Sequence, residues 1–328
     1  MESLSERLGP LSDAQLQAAL DRFELGALRR TERVEGGLFG QNLFVSSSTG
    51  EWVLRGAPHA DWQLPRERYF AQQLHATTRV PVPWPYLLEE SKDIFGWSFA
   101  LIPRLPGKRP DAIGGLTPAE RCDVARALGA GLAEAQRLTS NAPGELDAGR
   151  EVVVPETSFR GWVLRTLAEL RERIEALPGG FDTADRELID RVVEESVGAL
   201  DEPFVTCLVH FDFAPGNCHV ERAAGGWRLS GLFDLMTCAF ADGEQDLSRM
   251  TALLSRPEPE TAKAFLNAYR ERCPLRPGYR QRFRIYMLMD RLVLWEYGRR
   301  DGGWFPEDAR FRRFARRFLA LDELLDAG

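Results

Sequence analysis

The stretch that decides the fold spans residues 210–247 and reads HFDFAPGNCHVERAAGGWRLSGLFDLMTCAFADGEQDL. It contains His210, Asp212 and Asn217 in the spacing H-x-D-x-x-x-x-N, and Asp234 ends a later apolar run. This layout is typical of phosphoryl transfer. A first carboxylate orients the acceptor hydroxyl, while an amide five residues on and a second carboxylate bind magnesium.

The residues between these positions predict how they are presented. The segment 218–221 favours a short strand, a glycine pair favours a turn, and the apolar segment 227–233 favours a returning strand that brings Asp234 beside Asn217. Taken singly, each polar residue is equally typical of a turn, a cap or a structural histidine. The combined spacing favours a catalytic set.

The chain resembles the aminoglycoside phosphotransferases and related small-molecule kinases, which share the protein-kinase-like fold. Members of this group continue with Gly-Asp-Pro and then Asp-Leu; here the segments 241–243 (Ala-Asp-Gly) and 246–247 (Asp-Leu) stand in that register. The resemblance implies that Asp212 is catalytic. It also implies that Asn217 and Asp234 bind Mg²⁺.

Two further residues near this motif receive structural roles. The resemblance implies that His210 braces the catalytic loop through hydrogen bonds. Asp246 is predicted to cap a helix over 245–254 by accepting backbone N–H bonds. Neither residue is expected to be catalytic.

Composition excludes several classes of protein. Of the 328 residues, 44% are hydrophobic and 28% are charged, which suits a chain with a buried core and two lobes. The start MESLSERLGP lacks secretory-signal features, and no apolar run approaches the ~20 residues that span a bilayer. Five cysteines without a CxxC pair argue against disulfides or a zinc site, and a net charge of −7 argues against nucleic acid. We therefore expect a cytoplasmic enzyme without membrane or nucleic-acid partners.

The first hundred residues match a nucleotide-binding lobe. Gly36, Gly37 and Gly40 lie in a turn whose N–H groups could approach phosphates, although glycines in hairpins are usually only turn residues. By the resemblance, Arg55 stands where a protein kinase has its phosphate-binding lysine, and Glu67 on the next helix is its partner. The alternatives are an exposed strand-end arginine and a glutamate that stabilises the helix dipole.

A connector follows the apolar strand predicted over 97–105. By the resemblance this connector is the adenine-binding hinge, in which the Pro103 carbonyl accepts from the exocyclic amine and the Leu105 N–H donates to the ring. Proline has no N–H, so Pro103 fits an acceptor-only position.

The remaining pattern is mainly helical. Helices are predicted over 12–25, 65–75, 117–138, 158–177, 183–200, 260–272, 279–297 and 307–325. We therefore expect an α+β, protein-kinase-like two-lobe fold with a small β-rich N-lobe (1–105, nucleotide binding) and a larger mainly helical C-lobe (106–328, catalysis and acceptor binding). Phe211 replaces the arginine of regulated protein kinases, and the interval 234–242 is too short for an activation segment. Both features favour a small-molecule kinase.

The acceptor is predicted to lie near the last helices. Acidic and aromatic residues there favour a cationic, ring-containing acceptor; they are Asp290, Glu296, Asp301, Glu307, Trp295, Tyr297, Trp304 and Phe305. The alternative is a solvated face, because arginines interleave with these acids.

We accordingly expect an ATP- or GTP-dependent, Mg²⁺-dependent phosphotransferase that acts on a hydroxyl of a small molecule, first an aminoglycoside-type antibiotic and therefore a resistance enzyme. A metabolic kinase for an amino alcohol, a sugar or an amine-bearing metabolite is the alternative. A nucleotide-binding pseudokinase is a third reading, supported by Arg55.

Overall fold

The computed structural model describes residues 8–34, 42–58, 60–147, 152–153, 158–256 and 258–326. Within these ranges the chain packs into two compact units. The first unit comprises the described residues of Met1–Gly114 and Gly216–Cys238; the second unit comprises the described residues of Gly115–Asp147, Val152–Pro215 and Ala239–Gly328.

The described strands follow one another along the chain. They are β1 (Leu28–Arg33), β2 (Asn42–Ser47), β3 (Glu51–Gly56), β4 (Leu87–Glu89), β5 (Phe99–Pro103), β6 (Glu145–Leu146), β7 (Val152–Val153), β8 (Thr206–Val209), β9 (Cys218–Ala223), β10 (Gly226–Leu232) and β11 (Ala239–Asp242).

The described α-helices fall close to the predicted segments. They are α1 (Asp13–Arg22), α2 (Gln63–Thr77), α3 (Pro118–Ala135), α4 (Phe159–Glu175), α5 (Thr183–Ser196), α6 (Leu247–Leu254), α7 (Pro259–Arg270), α8 (Tyr279–Tyr297) and α9 (Phe311–Leu319). The expected α+β class is confirmed, with a small antiparallel sheet near the N-terminus and a helical C-terminal region.

The sheet of the first unit has the strand order β1-β2-β3-β5-β4, and every neighbouring pair is antiparallel. Helix α1 begins at a capping box in which Ser12 and Gln15 satisfy each other's backbone N–H groups. Its apolar face places Leu16 and Leu20 in one core cluster with Leu54 and Leu101 of the sheet. The sheet therefore has a buried face that fixes the register of β3, the strand that carries Arg55.

Strands β9 and β10 form the predicted hairpin, also in the first unit. The connector after β5 pairs with it, because Lys108 and Val220 exchange backbone hydrogen bonds of 2.9 and 3.0 Å. Gly107 makes this approach possible, since it has a φ of +87° and a Cβ there would lie 2.6 Å from the Val220 carbonyl oxygen. The hairpin and the connector are thus fixed to each other.

The second unit is built around α8, in which Met287, Leu288 and Leu292 are fully buried. Helix α3 lies close against α7, and a Cβ at Gly129 would come within 2.2 Å of the Phe265 carbonyl oxygen. Strand β8 pairs with β11 and leads directly to the predicted catalytic loop. Among the described residues, no helix is long and apolar enough to cross a membrane.

Candidate active site

Arg55 is the centre of a buried ion-pair network in the first unit. Its Nε donates to Oε2 of Glu67 at 2.6 Å, and its Nη2 donates to Oδ1 of Asp234 at 2.7 Å. The side chains are 11%, 6% and 23% exposed, respectively. The predicted contact between Arg55 and Glu67 is therefore present, and the alternative of an exposed strand-end arginine is wrong. The sequence did not predict that the same guanidinium also binds Asp234.

Burial and shared charge set the electrostatics of this network. Burial opposes the charged form of Arg55, but Glu67 and Asp234 outweigh it and raise the pKa of the guanidinium above its ordinary value. Burial also raises the pKa of the Glu67 carboxyl, and the nearby Asp234 charge raises it further, against the opposing effect of Arg55. Tyr86 compensates in part by donating its hydroxyl to Oε2 of Glu67 at 2.8 Å. Arg55 thus holds the Asp234 carboxylate, Glu67 holds Arg55, and Tyr86 supports Glu67.

Asp234 is separated from the end of β10 by Phe233 and has φ 61° and ψ 48°, a left-handed conformation that aspartate tolerates better than most residues. The N–H of Phe233, the preceding residue, donates to the carbonyl of Asn217 at 2.9 Å. The hairpin thus brings Asn217 and Asp234 to the same end, as predicted. One carboxylate and one amide oxygen, both partly exposed, suit Mg²⁺, which takes few protein ligands and completes its shell with phosphate and water.

Helix α2 also holds the segment after Asp234. Arg66 donates from Nη2 to the Cys238 carbonyl at 2.8 Å and from Nε to the same oxygen at 3.3 Å. Leu235 and Met236 are buried in the short 3₁₀ turn between these points. Arg55 therefore holds the carboxylate of Asp234, and Arg66 holds the backbone that follows it.

The other residues predicted to bind nucleotide have different outcomes. Gly36, Gly37 and Gly40 lie outside the described residues. Pro103 ends β5 in register with Trp52, and Leu105 follows in the connector that Lys108 anchors to β9. Their roles at an adenine ring stay predictions.

The predicted catalytic loop lies in the second unit, after β8. Phe211 has a φ of 63°, which is unusual for a bulky residue and costs on the order of 1–3 kcal/mol. The N–H of Asp212 donates to Nδ1 of His210 at 3.3 Å, and His210 is 1% exposed. This contact is the bracing that was predicted for His210.

Asp246 stabilises this strained loop. Its Oδ2 accepts from the His210 N–H at 2.8 Å and its Oδ1 accepts from the Phe211 N–H at 2.9 Å. The prediction that Asp246 caps the following helix is therefore wrong, since its side chain makes no cap hydrogen bond to α6. Burial raises the pKa of Asp246 to about 6, against the opposing effects of His210 and the two N–H donors.

Asp212 has an arginine partner that the sequence did not indicate. Nη1 of Arg249, in the first turn of α6, donates to Oδ1 of Asp212. The Nε of the same guanidinium donates to Oδ1 of Asp290 at 2.5 Å. Asp212 and Arg249 are 37 positions apart in the sequence, and no local pattern links them.

Three of the acids predicted to contact the acceptor, Asp290, Glu296 and Asp301, form ion pairs with arginines, and their role at an acceptor stays a prediction. Asp290 binds Arg249 and Arg291, and Glu296 binds Arg173 at 2.8 Å and Arg300 at 3.2 Å. Asp301 binds Arg300 at 2.7 Å. Trp295 is only 2% exposed and packs against Phe305, Phe311 and Phe314, so it belongs to the core. Trp304, by contrast, is 45% exposed.

Comparison with known proteins gives a family and a fold. The model of the phosphotransferase enzyme family matches residues 30–282. A thermostable mutant of the aminoglycoside phosphotransferase APH(4)-Ia, solved with ADP and hygromycin B, superposes with a TM-score of 0.65 at 15% identity, covering 95% of this chain and 97% of that one. The GDP and kanamycin complex of APH(2")-IIIa gives a TM-score of 0.62 at 16% identity, covering 96% and 98%. Comparison with curated proteins gives no significant match. The protein-kinase-like fold expected from the sequence is confirmed.

Proposed function

This chain belongs to the phosphotransferase enzyme family and transfers phosphoryl groups to hydroxyls, and we propose that it moves the γ-phosphate of ATP or GTP to a small-molecule alcohol. In this proposal Asp212 orients the acceptor hydroxyl. Arg55, held by Glu67, contacts the phosphates, and Asn217 and Asp234 bind Mg²⁺.

The observation that carries the proposal is the pair of hydrogen bonds from Arg55 to Glu67 and Asp234. A kinase-like site requires a cation near the phosphates, fixed by a helix carboxylate and set close to the metal-binding aspartate. Arginine can fill this place, because its planar fork reaches two anionic partners at once. The same arrangement argues against the pseudokinase reading, for which Arg55 was the support.

The protein's own groups explain most of the chemistry. Bound magnesium would neutralise charge on the phosphate oxygens. Asp212 would hold the acceptor hydroxyl in line for attack and accept its proton as the new phosphate ester forms. The guanidinium of Arg55 would stabilise negative charge on the transferred group and the nucleoside diphosphate.

We propose an aminoglycoside-type antibiotic as the first acceptor class, with resistance as the biological role. The support is the fold shared with solved proteins whose bound ligands are hygromycin B and kanamycin. The second candidate is a metabolic acceptor with fewer positive charges, such as an amino alcohol or a sugar. It is favoured by the ion pairs of Asp290, Glu296 and Asp301, since each of these acids already neutralises an arginine.

We propose that the activity is cytoplasmic. The chain has five cysteines without a CxxC pair, a pattern more typical of a reducing compartment than of a disulfide framework.

The test is a turnover assay with purified protein, Mg²⁺ and either ATP or GTP, against aminoglycosides, neutral sugars and amino alcohols. Mass spectrometry of the acceptor should detect one added phosphoryl group for each nucleoside diphosphate released. The Asp212→Asn variant is the matched control, because it changes one atom type and preserves size. Nucleotide binding without turnover on any acceptor or on water would favour the pseudokinase reading.

A further inference from the structure

Arg249 connects three separate elements of the second unit. The residue lies in the first turn of α6, and its guanidinium binds Asp212 of the catalytic loop and Asp290 of α8. Its side chain is 14% exposed. Burial opposes its charge, but Asp290 and Asp212 outweigh it and raise the pKa of Arg249 above its ordinary value. The cation between the two carboxylates is therefore permanent.

Asp290 has a second cation that keeps it in place. Nε of Arg291 donates to Oδ2 of Asp290 at 3.0 Å, and Nη2 of Arg291 binds the same oxygen. Burial alone would raise the pKa of Asp290, but Arg249 and Arg291 hold it below its usual range. Arg291 in turn stacks on the ring of Phe318, with 4.2 Å between its guanidinium carbon and the ring centroid.

Asp212, Arg249, Asp290 and Arg291 form a series of ion pairs. The sign of the charge alternates along this series, and the exposure of the side chains falls. Asp212 is 34% exposed, Arg249 14%, Asp290 9% and Arg291 2%. The series thus runs from a partly open carboxylate to a fully buried cation. Buried ion pairs contribute little net stability compared with apolar residues of the same size. Their ability to fix a geometry is a better reason for such a series to end on the predicted catalytic carboxylate.

We propose that Arg249 is a positioning residue for phosphoryl transfer. It holds Oδ1 of Asp212, and Asp290 and Arg291 hold Arg249, so that the Asp212 carboxylate meets the acceptor hydroxyl in one orientation. The proposal rests on the proposed function of Asp212. It assigns Asp290 to the support of the catalytic loop, in place of the acceptor contact expected from the sequence.

The experiment compares Arg249→Met, Arg249→Lys and Asp290→Asn with wild type. The probe is hydrolysis of MgATP or MgGTP with water as acceptor, so that no acceptor needs to be known. Arg284→Met and Arg284→Lys are the matched controls, because Arg284 also forms an ion pair on α8, with Glu195 at 3.0 Å. Nucleotide Kd, measured by calorimetry, and near-UV circular dichroism accompany each kcat.

We expect Arg249→Met to lower kcat by about 100-fold, the cost of misplacing a reacting group by roughly 1 Å, with nucleotide Kd unchanged. Arg249→Lys should recover part of the loss, because an ammonium keeps the charge but cannot hold both carboxylates in the planar fork. The kcat of Asp290→Asn should lie between those of Arg249→Met and Arg249→Lys. The effect of Arg249→Met should vanish in an Asp212→Asn background, since the residue acts through Asp212.

Several results would overturn the proposal. One is a kcat for Arg249→Met that equals that of Arg284→Met. Another is a kcat for the double variant Arg249→Met, Asp212→Asn that is reduced by the full product of the two single losses. If Arg249→Met fails to fold, Arg249→Lys and Asp290→Asn decide, and wild-type kcat in both removes the proposal. If wild type binds nucleotide and Asp212→Asn lowers kcat, but Arg249→Met, Arg249→Lys and Asp290→Asn do not, then only the role of Arg249 is refuted. A wild-type protein that binds no nucleotide refutes the proposed function itself.

Discussion

Arg55 donates a hydrogen bond from Nη2 to Oδ1 of Asp234 at 2.7 Å, so the residue proposed to replace the kinase lysine directly contacts the proposed metal ligand. A second nitrogen of the same fork holds Glu67. A lysine is a point charge and cannot form both contacts in this planar geometry. Arg55 therefore fixes Asp234 as well as supplying positive charge.

The first prediction concerns this fork. Arg55→Ala should raise the nucleotide KM and lower turnover, because it leaves the buried Glu67 carboxylate and the partly exposed Asp234 carboxylate without their cation. Arg55→Lys should retain partial activity, since charge persists and one contact is lost. Steady-state kinetics against nucleotide concentration would measure both effects.

Arg22 is the control for this prediction. Its guanidinium also joins two carboxylates, those of Glu89 and Asp93 at 2.6 Å each, but its side chain is 35% exposed. Arg22→Ala should leave nucleotide kinetics unchanged. Equal kinetics for Arg22→Ala and Arg55→Ala would show that Arg55 has no role at the nucleotide.

The second prediction separates the two carboxylates of the proposed site. Asp212→Asn should spare nucleotide binding and lower turnover on the order of 100-fold or more, because the acceptor loses its orienting group. Asp234→Asn should also abolish Mg²⁺-dependent nucleotide binding. Calorimetry with and without Mg²⁺, together with turnover, distinguishes the two defects. Turnover like that of wild type in either variant would remove the assigned roles.

The local parts of this molecule could be predicted from the sequence. The helices predicted over 117–138 and 279–297 are present as Pro118–Ala135, which begins at a capping box on Thr117, and Tyr279–Tyr297, because caps and apolar periodicity act over a few residues. The hairpin that leads to Asp234 formed for the same reason. The resemblance to a family located the Arg55 and Glu67 pair, which periodicity could not have done.

The distant partners could not be predicted. Asp246 had the sequence of a helix cap, yet its carboxylate binds backbone N–H groups that lie 35 and 36 positions earlier. Arg249 and Tyr86 carried no signal, since their contacts depend on how helices and loops pack. Whether an acidic side chain is solvated or paired with an arginine likewise depends on the tertiary structure.

The third prediction follows from the pKa of Asp246, which burial raises from 3.8 to about 6. The folded state therefore binds this proton more tightly than the unfolded state. The resulting stabilisation is fully present below pH 4 and is lost as pH rises from about 4 to 6, with a total change of about 3 kcal/mol. Relative to Asp246→Asn, wild type should gain free energy of unfolding as pH falls from 7 to 4.

Denaturant unfolding at several pH values would measure this difference. Asp201→Asn is the control, since Asp201 is 59% exposed and pairs with Arg160 at the surface. Asp246→Asn should also lower turnover, because an amide cannot accept both N–H groups of His210 and Phe211 equally. A difference between wild type and Asp246→Asn that is constant across this pH range would contradict the assigned burial effect.

The last prediction decides between the two acceptor classes. If acidic side chains recognise a polycation, the acceptor KM should rise steeply between low and physiological salt while the nucleotide KM changes less, because screening weakens several charge pairs at once. The pairing of Glu296 with Arg173 and Arg300, and of Asp301 with Arg300, predicts a smaller salt effect, since these acids are already neutralised. Glu296→Gln and Asp301→Asn should reproduce part of any salt effect on a cationic acceptor.

The measurement is a salt titration of KM for aminoglycosides, neutral sugars and choline-like amines. A best acceptor whose KM does not respond to salt would rule out recognition of a polycation and favour the metabolic kinase.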